Sequence, residues 1–349
     1  MNIQLSVVVP VYNEEAVLSE FHNRLAEVLN TMPVNAEIVY VNDGSSDKTI
    51  MLLHSLQGND PRITILDLSR NFGKEIALTA GLDYARGDAI VVIDADLQDP
   101  PQLIPELFAQ LKEGYDVVYA KRILRDGETA LKKFTARAFY SLMQKIGRVR
   151  IPENTGDFRI LSRRAVDSLK QLRENNRFMK GLFTWIGYPQ KEVLYRRDPR
   201  YAGKTKYNYW RLLNFAIDAL TSFTTTPLKL STYLGIITAI GSFIYSLIIV
   251  SKTLLYGEAV KGYPSLMVVI LFLGGIQLVA IGIIGEYLGR MFDESKNRPL
   301  YFLKGYEPSK LCKMKQPDET GGSVSLNIDE KPNKDFQEQY FMNLLLTAS

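Results

Sequence analysis

The chain of 349 residues contains only one cysteine and two histidines, and these scarcities exclude several kinds of site. A single cysteine, Cys312, cannot form an intramolecular disulfide framework and fits a reducing compartment. His22 and His54 lie in helix-like stretches away from every motif below, which argues against a histidine-ligated metal and a Ser-His-Asp site. The net charge of +4 is small and does not call for a nucleic-acid partner. We expect no signal peptide, because Met1 leads directly into a strand-like run.

The N-terminal part alternates strand-like and helix-like patterns. Such alternation predicts an α/β domain with a mostly parallel sheet covered on both faces. Ligands of such sheets bind beyond the carboxyl ends of the strands, so the loops that follow the strands are the places to search. The predicted strands are Leu5–Val11, Glu37–Val41, Ile63–Asp67, Ala89–Ile93 and Asp116–Ala120, and the predicted helices are Glu14–Leu29, Asp47–Leu56, Lys74–Tyr84 and Leu103–Lys112.

Two long uncharged runs follow in the C-terminal part, Ser231–Ser251 and Gly262–Gly285. Each is long enough to cross a hydrocarbon core of ~30 Å as a helix, although a buried core helix is the alternative. Basic residues flank the pair on both outer sides, whereas the short link Tyr256–Lys261 is nearly neutral. The positive-inside rule then places the large N-terminal domain in the cytoplasm, at the inner face of the plasma membrane.

These patterns divide the chain into five parts. We expect a cytoplasmic catalytic domain at 1–208 and interfacial amphipathic helices at 209–230, for which a domain-edge helix is the alternative. Transmembrane helices are expected at 231–255 and 262–289. The remainder, 290–349, is expected to be a cytoplasmic tail that is largely disordered after 308, where the composition turns polar.

The first two strands end in residues that suit a nucleotide. Pro10, Tyr12 and Asn13 stand at the carboxyl end of the first strand and make a shelf on which a flat base could stack. Asp43 follows the second strand and can accept hydrogen bonds from a base, while Gly44 permits a close backbone approach. An ordinary loop and a helix cap are the alternatives for these segments.

The fourth strand ends in Asp94-Ala95-Asp96, with two carboxylates on alternate residues. Carboxylates placed in this way can converge on Mg²⁺ or Mn²⁺ and leave open positions for diphosphate oxygens. A chance match or turn aspartates would be the alternative for an isolated Asp-x-Asp. Asp99 either belongs to the same site or caps the helix that starts at Pro100.

The motifs at the strand ends are specific enough to indicate a family when two further segments are added. These segments are Arg70-Asn71-Phe72-Gly73-Lys74 and Thr155-Gly156-Asp157-Phe158-Arg159. The chain resembles an inverting family 2 glycosyltransferase of the GT-A fold. Within that family it is similar to the polyprenyl-phosphate glycosyltransferases, which include dolichyl-phosphate mannose synthase and the bactoprenol glucosyltransferases. The resemblance covers roughly residues 3–300, and the hairpin of two predicted spans favours the bactoprenol glucosyltransferase type.

The resemblance implies roles for individual residues. Asp157 would lie near the reacting centre, and it and Asp96 are the candidate catalytic residues. The segment from Arg200 to Tyr207 would be a mobile loop that closes over the diphosphate. Residues implied to bind the nucleotide-sugar are Pro10, Tyr12, Glu14, Asp43, Arg70, Lys74, Asp94, Gln98, Arg200 and Lys206, and those implied to hold the metal are Asp94, Asp96 and Gln98.

The acceptor has its own requirement. A lipid monophosphate is already largely a dianion at pH 7, so a strong general base is optional and basic residues are needed to bring two anions together. Between Lys121 and Arg150 nine basic residues stand against two acidic ones, although a solvated helical face has the same composition. Asp157 could act as a base, orient the acceptor or stabilise the oxocarbenium-like centre, or be a structural partner of Arg159. The acceptor-phosphate candidates are Arg122, Arg137 and Lys132, followed by Arg125 and Lys133.

The sequence therefore predicts transfer of glucose, or a similar hexose, from UDP-glucose to undecaprenyl phosphate, with Mg²⁺ or Mn²⁺ as cofactor. GDP-mannose, UDP-N-acetylglucosamine or UDP-aminoarabinose as donor, and an inactive membrane scaffold, are the alternatives. A processive polysaccharide synthase is disfavoured because the chain contains no Gln-x-x-Arg-Trp motif. A two-span transporter is disfavoured because neither span has a charged residue in its interior. Glycines in both spans would allow close helix packing, which favours a homo-oligomer such as a tetramer.

Overall fold

The structure is a computed structural model that describes residues 3–123, 152, 155–196, 226–256 and 262–312. All of these belong to one compact unit, Met1–Met314. The expected interfacial helices lie outside the described residues except for 226–230, which form the start of a longer helix.

Eight strands of the described chain form one sheet in the order β7-β5-β6-β4-β1-β2-β3-β8. The pairs β1–β2, β1–β4, β2–β3 and β5–β7 are parallel, whereas β3–β8, β4–β6 and β5–β6 are antiparallel. This confirms the predicted α/β architecture with a mostly parallel sheet. The strands are β1 Leu5–Val11, β2 Ala36–Asn42, β3 Ile63–Leu68, β4 Ala89–Val92, β5 Val117–Arg122, β6 Thr155–Ser162, β7 Gln190–Tyr195 and β8 Leu303–Glu307.

Helices pack on both faces of this sheet because side chains of a strand alternate between the two faces. In β1, Val7 and Val9 belong to a hydrophobic core shared with Phe21 of α1, whereas Val8 belongs to a second core shared with Leu78 of α3. The helices are α1 Leu18–Thr31, α2 Thr49–Asn59, α3 Lys74–Tyr84, α4 Ile104–Lys112, α5 Arg163–Gln171, α6 Met179–Trp185, α7 Thr226–Tyr256 and α8 Tyr263–Ser295, with short 3₁₀ turns at Pro101–Leu103 and Lys310–Cys312.

The two long helices α7 and α8 have 31 and 33 residues and expose most of their described apolar side chains. Within the described residues, one segment is long and apolar enough to cross a membrane, Phe272–Ser295 of α8. The apolar part of α7, Ser231–Tyr245, is shorter than that. The two predicted spans therefore correspond to two helices, and their crossing of a membrane stays a prediction.

The chain returns to the sheet after α8, which the sequence did not predict. Strand β8 pairs antiparallel with β3 and forms the edge of the sheet, and the backbone N–H of Ser309 donates to Thr64 Oγ1 at 3.0 Å. Asn175, in the loop before α6, donates its backbone N–H to Glu294 near the end of α8 at 2.7 Å. Residues 296–312, called the return segment below, are therefore folded and pack against the sheet. Residues beyond 312, most of the part expected to be disordered, lie outside the described residues.

Candidate active site

The site lies where β1, β2 and β4 end and β6 begins. Because β4 and β6 are antiparallel, with Val92 opposite Arg159, the residues that follow β4 lie beside the start of β6. This register brings Asp94 and Asp157 to the same edge of the sheet. Lys74, the first residue of α3, extends to this edge from the neighbouring layer.

Lys74 bridges the two carboxylates. Its Nζ lies 2.6 Å from Oδ2 of Asp94 and 2.5 Å from Oδ2 of Asp157. The Lys74 side chain is 41% exposed, whereas the Asp157 side chain is 9% exposed. The cluster is therefore open to solvent mainly on the side of the lysine.

The charges in this cluster fix one another's protonation states. Burial acts to lower the pKa of Lys74, but the carboxylates of Asp157 and Asp94 outweigh it and hold that pKa well above its usual value. Burial acts to raise the pKa of Asp157, but the ammonium groups of Lys74 and Lys180 outweigh it and lower that pKa. Burial raises the pKa of Asp94, and Lys74 only partly offsets this effect. A charged Lys74 beside an ionised Asp157 is the stable arrangement near neutral pH.

Arg159 supports the start of β6, which carries Asp157. It is 4% exposed and donates to the backbone carbonyl oxygens of Gly156 at 2.9 Å and Asp157 at 3.2 Å. Its guanidinium also lies 3.9 Å from the ring centre of Phe183 in α6. Arg159 thus hydrogen-bonds the main chain around Asp157, and the Asp157 carboxylate pairs with Lys74. Oδ1 of Asp157 is buried and has no hydrogen-bond partner among the described residues.

Glu75 and Lys180 surround this centre from α3 and α6, and the sequence did not identify either. Oε2 of Glu75 accepts the backbone N–H of Met179 at 2.9 Å and so holds the start of α6 against α3. Burial, together with the nearby Asp157 charge, raises the pKa of Glu75 to about 7. The position of Glu75 directly after Lys74 was the one available signal, but its contact with α6 depends on the tertiary fold.

Asp43 and the 70–74 loop form the neighbouring part of the site. Asp43 is 3% exposed, and its two oxygens accept the backbone N–H groups of Phe72 at 2.7 Å and Gly73 at 3.0 Å. Gly44 has φ +63°, and a Cβ there would lie 2.5 Å from the backbone carbon of Arg70. Only glycine allows this close approach at this φ. Asp43 and Gly44 therefore fix the loop that leads into Lys74.

The remaining nucleotide candidates lie at the same edge. Tyr12 is 40% exposed just beyond β1, and Pro10 is half-buried within it. The Glu14 backbone N–H donates to Thr49 Oγ1 at 2.9 Å, which ties this turn to α2. The guanidinium of Arg70 lies 4.1 Å from the ring centre of Phe72. These residues lie at or just beyond the carboxyl ends of β1 and β3, at the edge of the parallel strands that also carries Asp94.

The acidic loop after β4 contains the oxygen ligands that a divalent-cation site requires. Leu97 has φ +59°, a conformation uncommon for a non-glycine residue, and the Gln98 backbone N–H donates to Asp96 Oδ1 at 3.1 Å. Among the described residues no three His, Cys, Asp or Glu side chains converge on one point. Mg²⁺ is commonly held by one or two carboxylates together with substrate phosphates, so Asp94, Asp96 and Gln98 fit a cation that arrives with a diphosphate.

Arg122, at the end of β5, is the one acceptor-phosphate candidate within the described residues. It lies on the side of the site away from Asp43, and its Nε donates to the hydroxyl of Tyr195 at 3.2 Å. Burial acts to lower the pKa of Arg122, but Tyr195 and the carboxylates of Asp99 and Asp94 outweigh it and raise that pKa. Outside the described residues lie Arg125, Lys132, Lys133, Arg137, Arg200 and Lys206.

A mostly parallel sheet whose strands end at an acidic loop and at a lysine between two carboxylates is typical of a GT-A-like glycosyltransferase. The family described as Glycosyl transferase family 2 matches residues 6–170, from the second residue of β1 through β6, and this range includes Lys74. The GtrB C-terminal hairpin matches residues 226–291. The chain belongs to glycosyl transferase family 2 and carries the hairpin of its GtrB-type members.

Relatives match nearly the whole length of the chain. It is 54% identical over 303 residues to an uncharacterized glycosyltransferase of Synechocystis sp., covering 87% of this chain and 95% of the relative. It is 49% identical over 303 residues to the uncharacterized glycosyltransferase YkcC of Bacillus subtilis, covering 87% and 94%. It is 47% identical over 302 residues to the bactoprenol glucosyl transferase of Shigella phage SfV, covering 86% and 98%. These similarities identify the protein as a glycosyltransferase.

Proposed function

We propose that this glycosyltransferase transfers glucose from UDP-glucose to undecaprenyl phosphate or another polyprenyl phosphate. The similarity to a bactoprenol glucosyl transferase over 98% of that protein supports the acceptor class and the sugar. The observation that carries the proposal is the position of Lys74 between Asp94 and Asp157. This arrangement brings a donor-side carboxylate and an acceptor-side carboxylate to one cation.

The donor would occupy the edge formed by the ends of β1, β2 and β4. Its base would stack near Tyr12 and Pro10, and its diphosphate would reach the acidic loop after β4. Asp94, Asp96 and Gln98 would hold Mg²⁺ or Mn²⁺, which when bound neutralises charge on the departing diphosphate. Arg70, on the loop held by Asp43, would face the donor from the side opposite the acidic loop.

Lys74 would pair with the diphosphate of the bound donor as well as with the carboxylates of the protein. In the absence of a ligand it balances two carboxylates, and its 41% exposure leaves it accessible to a diphosphate oxygen. An ammonium held by two carboxylates is already oriented, so it needs little reorganisation when negative charge develops on the leaving group. Lys74 therefore contributes more to the transition state than an exposed lysine would.

The chemistry is a single displacement at the anomeric carbon. A phosphate oxygen of the lipid attacks that carbon, the bond to the diphosphate oxygen breaks, and UDP leaves with the bonding electron pair. Attack opposite the leaving group inverts the configuration. The acceptor is already largely a dianion, so no proton has to be removed. Asp157, kept ionised by Lys74, would then stabilise the oxocarbenium-like centre or orient the acceptor, and it would not serve as an obligatory base.

Helices α7 and α8 would both cross the membrane as a hairpin. Their exposed apolar side chains and the match of residues 226–291 to the GtrB C-terminal hairpin support this topology. Basic residues near the two outer ends of the hairpin, such as Lys229 and Arg298, favour a cytoplasmic catalytic domain at the plasma membrane. This placement brings the site to the leaflet where a polyprenyl phosphate presents its headgroup. Homo-oligomer formation remains a prediction from the glycines of the two helices.

The test is a transfer assay with the full chain in detergent, undecaprenyl phosphate and radiolabelled donors. UDP-glucose, UDP-N-acetylglucosamine, UDP-aminoarabinose and GDP-mannose are compared with Mn²⁺ and with EDTA. We expect a metal-dependent, lipid-extractable product with UDP-glucose in preference to the others. Preferential transfer from another donor would correct the sugar. No product with any donor, from folded protein that binds UDP, would contradict the proposal and favour an inactive scaffold.

A further inference from the structure

A chain of three side chains lies beside the Lys74 cluster. The hydroxyl of Tyr195 donates to Oδ1 of Asp99, and Nε of Arg122 donates to the hydroxyl of Tyr195 at 3.2 Å. Asp99 is 1% exposed and Tyr195 is 5% exposed, whereas the Arg122 side chain is 17% exposed. This series of hydrogen-bonded side chains therefore extends from a buried carboxylate to a partly exposed guanidinium.

The direction of these hydrogen bonds is fixed by chemistry. An ionised carboxylate only accepts hydrogen bonds and a guanidinium only donates them, so Tyr195 must direct its single proton to Asp99 and a lone pair to Arg122. Nη2 of Arg122 lies 3.9 Å from Oδ1 of Asp99, which is beyond hydrogen-bond distance but close enough for attraction between the charges. Tyr195 thus connects a buried anion to one defined nitrogen of Arg122.

Gly156 confines the guanidinium from another side. A Cβ at this position would lie 2.9 Å from Nη2 of Arg122 and 3.5 Å from Oδ2 of Asp99. The backbone directly before Asp157 therefore packs against the end of Arg122. Any side chain at position 156 would displace the guanidinium from its present place.

We propose that Asp99 and Tyr195 are positioning residues that hold Arg122 in the orientation in which it binds the phosphate of the lipid acceptor. The proposal rests on the proposed function, because it takes a phosphate monoester as the ligand of Arg122. One of the five guanidinium N–H groups is bound by Tyr195, and within the described residues Arg122 donates no other hydrogen bond, so its fork can engage two phosphate oxygens. A phosphate on Arg122 would lie next to the 156–157 backbone, within the region where the acceptor oxygen must attack.

The alternative is that Tyr195 only stabilises the fold. Its ring packs edge-on against Phe158 with ring centres 6.4 Å apart, and that contact does not need the hydroxyl. Tyr195→Phe keeps the ring and removes the hydroxyl. Tyr188→Phe is the matched control. The Tyr188 hydroxyl is hydrogen-bonded to Ser168 Oγ, with 2.9 Å between the two oxygens, and this pair is not part of the acidic loop.

The experiment measures KM for undecaprenyl phosphate, KM for the donor sugar and the dissociation constant of UDP in each variant. For Tyr195→Phe we expect KM for the lipid to rise about tenfold, while both donor constants stay within about twofold. Tyr188→Phe should leave all three constants unchanged. Gly156→Ala, which moves the guanidinium by a different route, should produce the same acceptor-selective rise.

A double-mutant cycle separates positioning from a direct role. Arg122→Lys removes the planar fork and the Nε–H group that Tyr195 accepts. If Tyr195 acts through Arg122, adding Tyr195→Phe to Arg122→Lys should change KM for the lipid by less than about twofold. Fully additive effects would overturn the proposal, as would an unchanged KM for the lipid in both Tyr195→Phe and Gly156→Ala.

Different results would contradict the proposed function and the positioning role of Asp99 and Tyr195. Wild-type protein that forms no labelled lipid from any donor contradicts the proposed function and, with it, the ligand assigned to Arg122. Wild-type transfer with unaltered acceptor kinetics in the variants contradicts only the positioning role. Thermal unfolding of each variant detects a loss of fold. If Tyr195→Phe does not fold, KM for the lipid in Arg122→Lys and Gly156→Ala decides the question.

Discussion

The ammonium group of Lys74 lies 2.5 Å from a carboxylate oxygen of Asp157, and this pair joins the start of α3 to the start of β6. The same nitrogen lies 2.6 Å from Asp94. One cation therefore links the loop expected to bind the donor to the strand expected to meet the acceptor. Removal of the cation would leave two carboxylates facing each other at a site that must receive two phosphorylated ligands.

We expect Lys74→Met to lower kcat by about two to three orders of magnitude, because it removes a preorganised positive charge from the leaving group. The measurement is the initial rate of lipid glycosylation at saturating donor and acceptor. Lys112→Met is the matched control, since Lys112 lies over the ring of Phe108 away from the site. Equal rates in the two variants would show that Lys74 is not part of the reaction centre.

Gly44→Ala should lower both stability and nucleotide affinity. A Cβ at Gly44 would meet the Arg70 backbone at 2.5 Å, and its φ of +63° is unfavourable for alanine. We expect the free energy of unfolding to fall by about 1–3 kcal/mol, with weaker UDP binding because the 70–74 loop must move. Denaturant unfolding and UDP titration measure both effects.

Gly58→Ala in α2 provides the opposite expectation. A Cβ at that position meets nothing within 4 Å and the residue is helical. Alanine there should stabilise the protein by up to about 1 kcal/mol and leave UDP binding unchanged. A similar loss of stability in both glycine variants would contradict the role assigned to Gly44.

The parallel core of the fold could be predicted from the sequence because its signals are local. Helix α3 has the predicted bounds Lys74–Tyr84, and β1 has the predicted bounds Leu5–Val11. Helix α1 begins at Leu18, later than the predicted Glu14, and the residues before it form a turn in which the Glu14 backbone N–H donates to Thr49 Oγ1. Apolar periodicity indicates where a helix can form, whereas the exact start depends on such tertiary partners.

The antiparallel additions and the environment of the site could not be predicted in the same way. Strand β8 follows a long apolar helix and contains Lys304 and Glu307, so its composition alone indicates a polar tail. The side chains of Glu75 and Tyr195 carry no motif, and their roles arise from contacts with α6 and with Asp99. Burial of polar groups in pairs across the sequence is a property of the assembled fold.

The return segment should be part of the stability of the catalytic domain. Truncation after Leu300 would remove β8, expose the edge of β3 and delete the bond from Arg86 Nη2 to Ser309 Oγ at 3.0 Å. We expect this variant to melt several degrees lower and to aggregate more readily. Truncation after Cys312 is the control and should melt like the full chain. Identical melting temperatures in the two truncations would contradict the contribution of β8.

Glu75 should make stability depend on pH. The pKa of Glu75 is raised from 4.5 to about 7 in the folded chain, so the folded state binds this proton more tightly than the unfolded state. Its stabilising contribution is therefore complete at low pH, below 4.5, and is lost as the pH rises through about 7. Above that pH the folded chain carries the cost of an ionised Glu75 beside Asp157.

Glu75→Gln removes this titration and retains an amide oxygen that can accept the Met179 N–H. Relative to the wild type, we expect the variant to be more stable at pH 8 than at pH 5 by about 1–3 kcal/mol. Urea unfolding at the two pH values measures the difference. Glu27→Gln, at an exposed position of α1, should show no such change between the two pH values. The reverse sign for Glu75→Gln would contradict the assigned protonation.

We propose that the Asp94–Lys74–Asp157 centre transfers a sugar from a nucleotide to a lipid phosphate. The most direct measurement is the formation of labelled undecaprenyl-phosphate-glucose from UDP-glucose by the wild type, Asp94→Asn, Asp157→Asn and the exposed control Asp167→Asn, each verified to be folded. We predict Mn²⁺-dependent product with the wild type and Asp167→Asn, and a loss of about two orders of magnitude or more in the other two. Full activity in folded Asp94→Asn or Asp157→Asn would contradict the account.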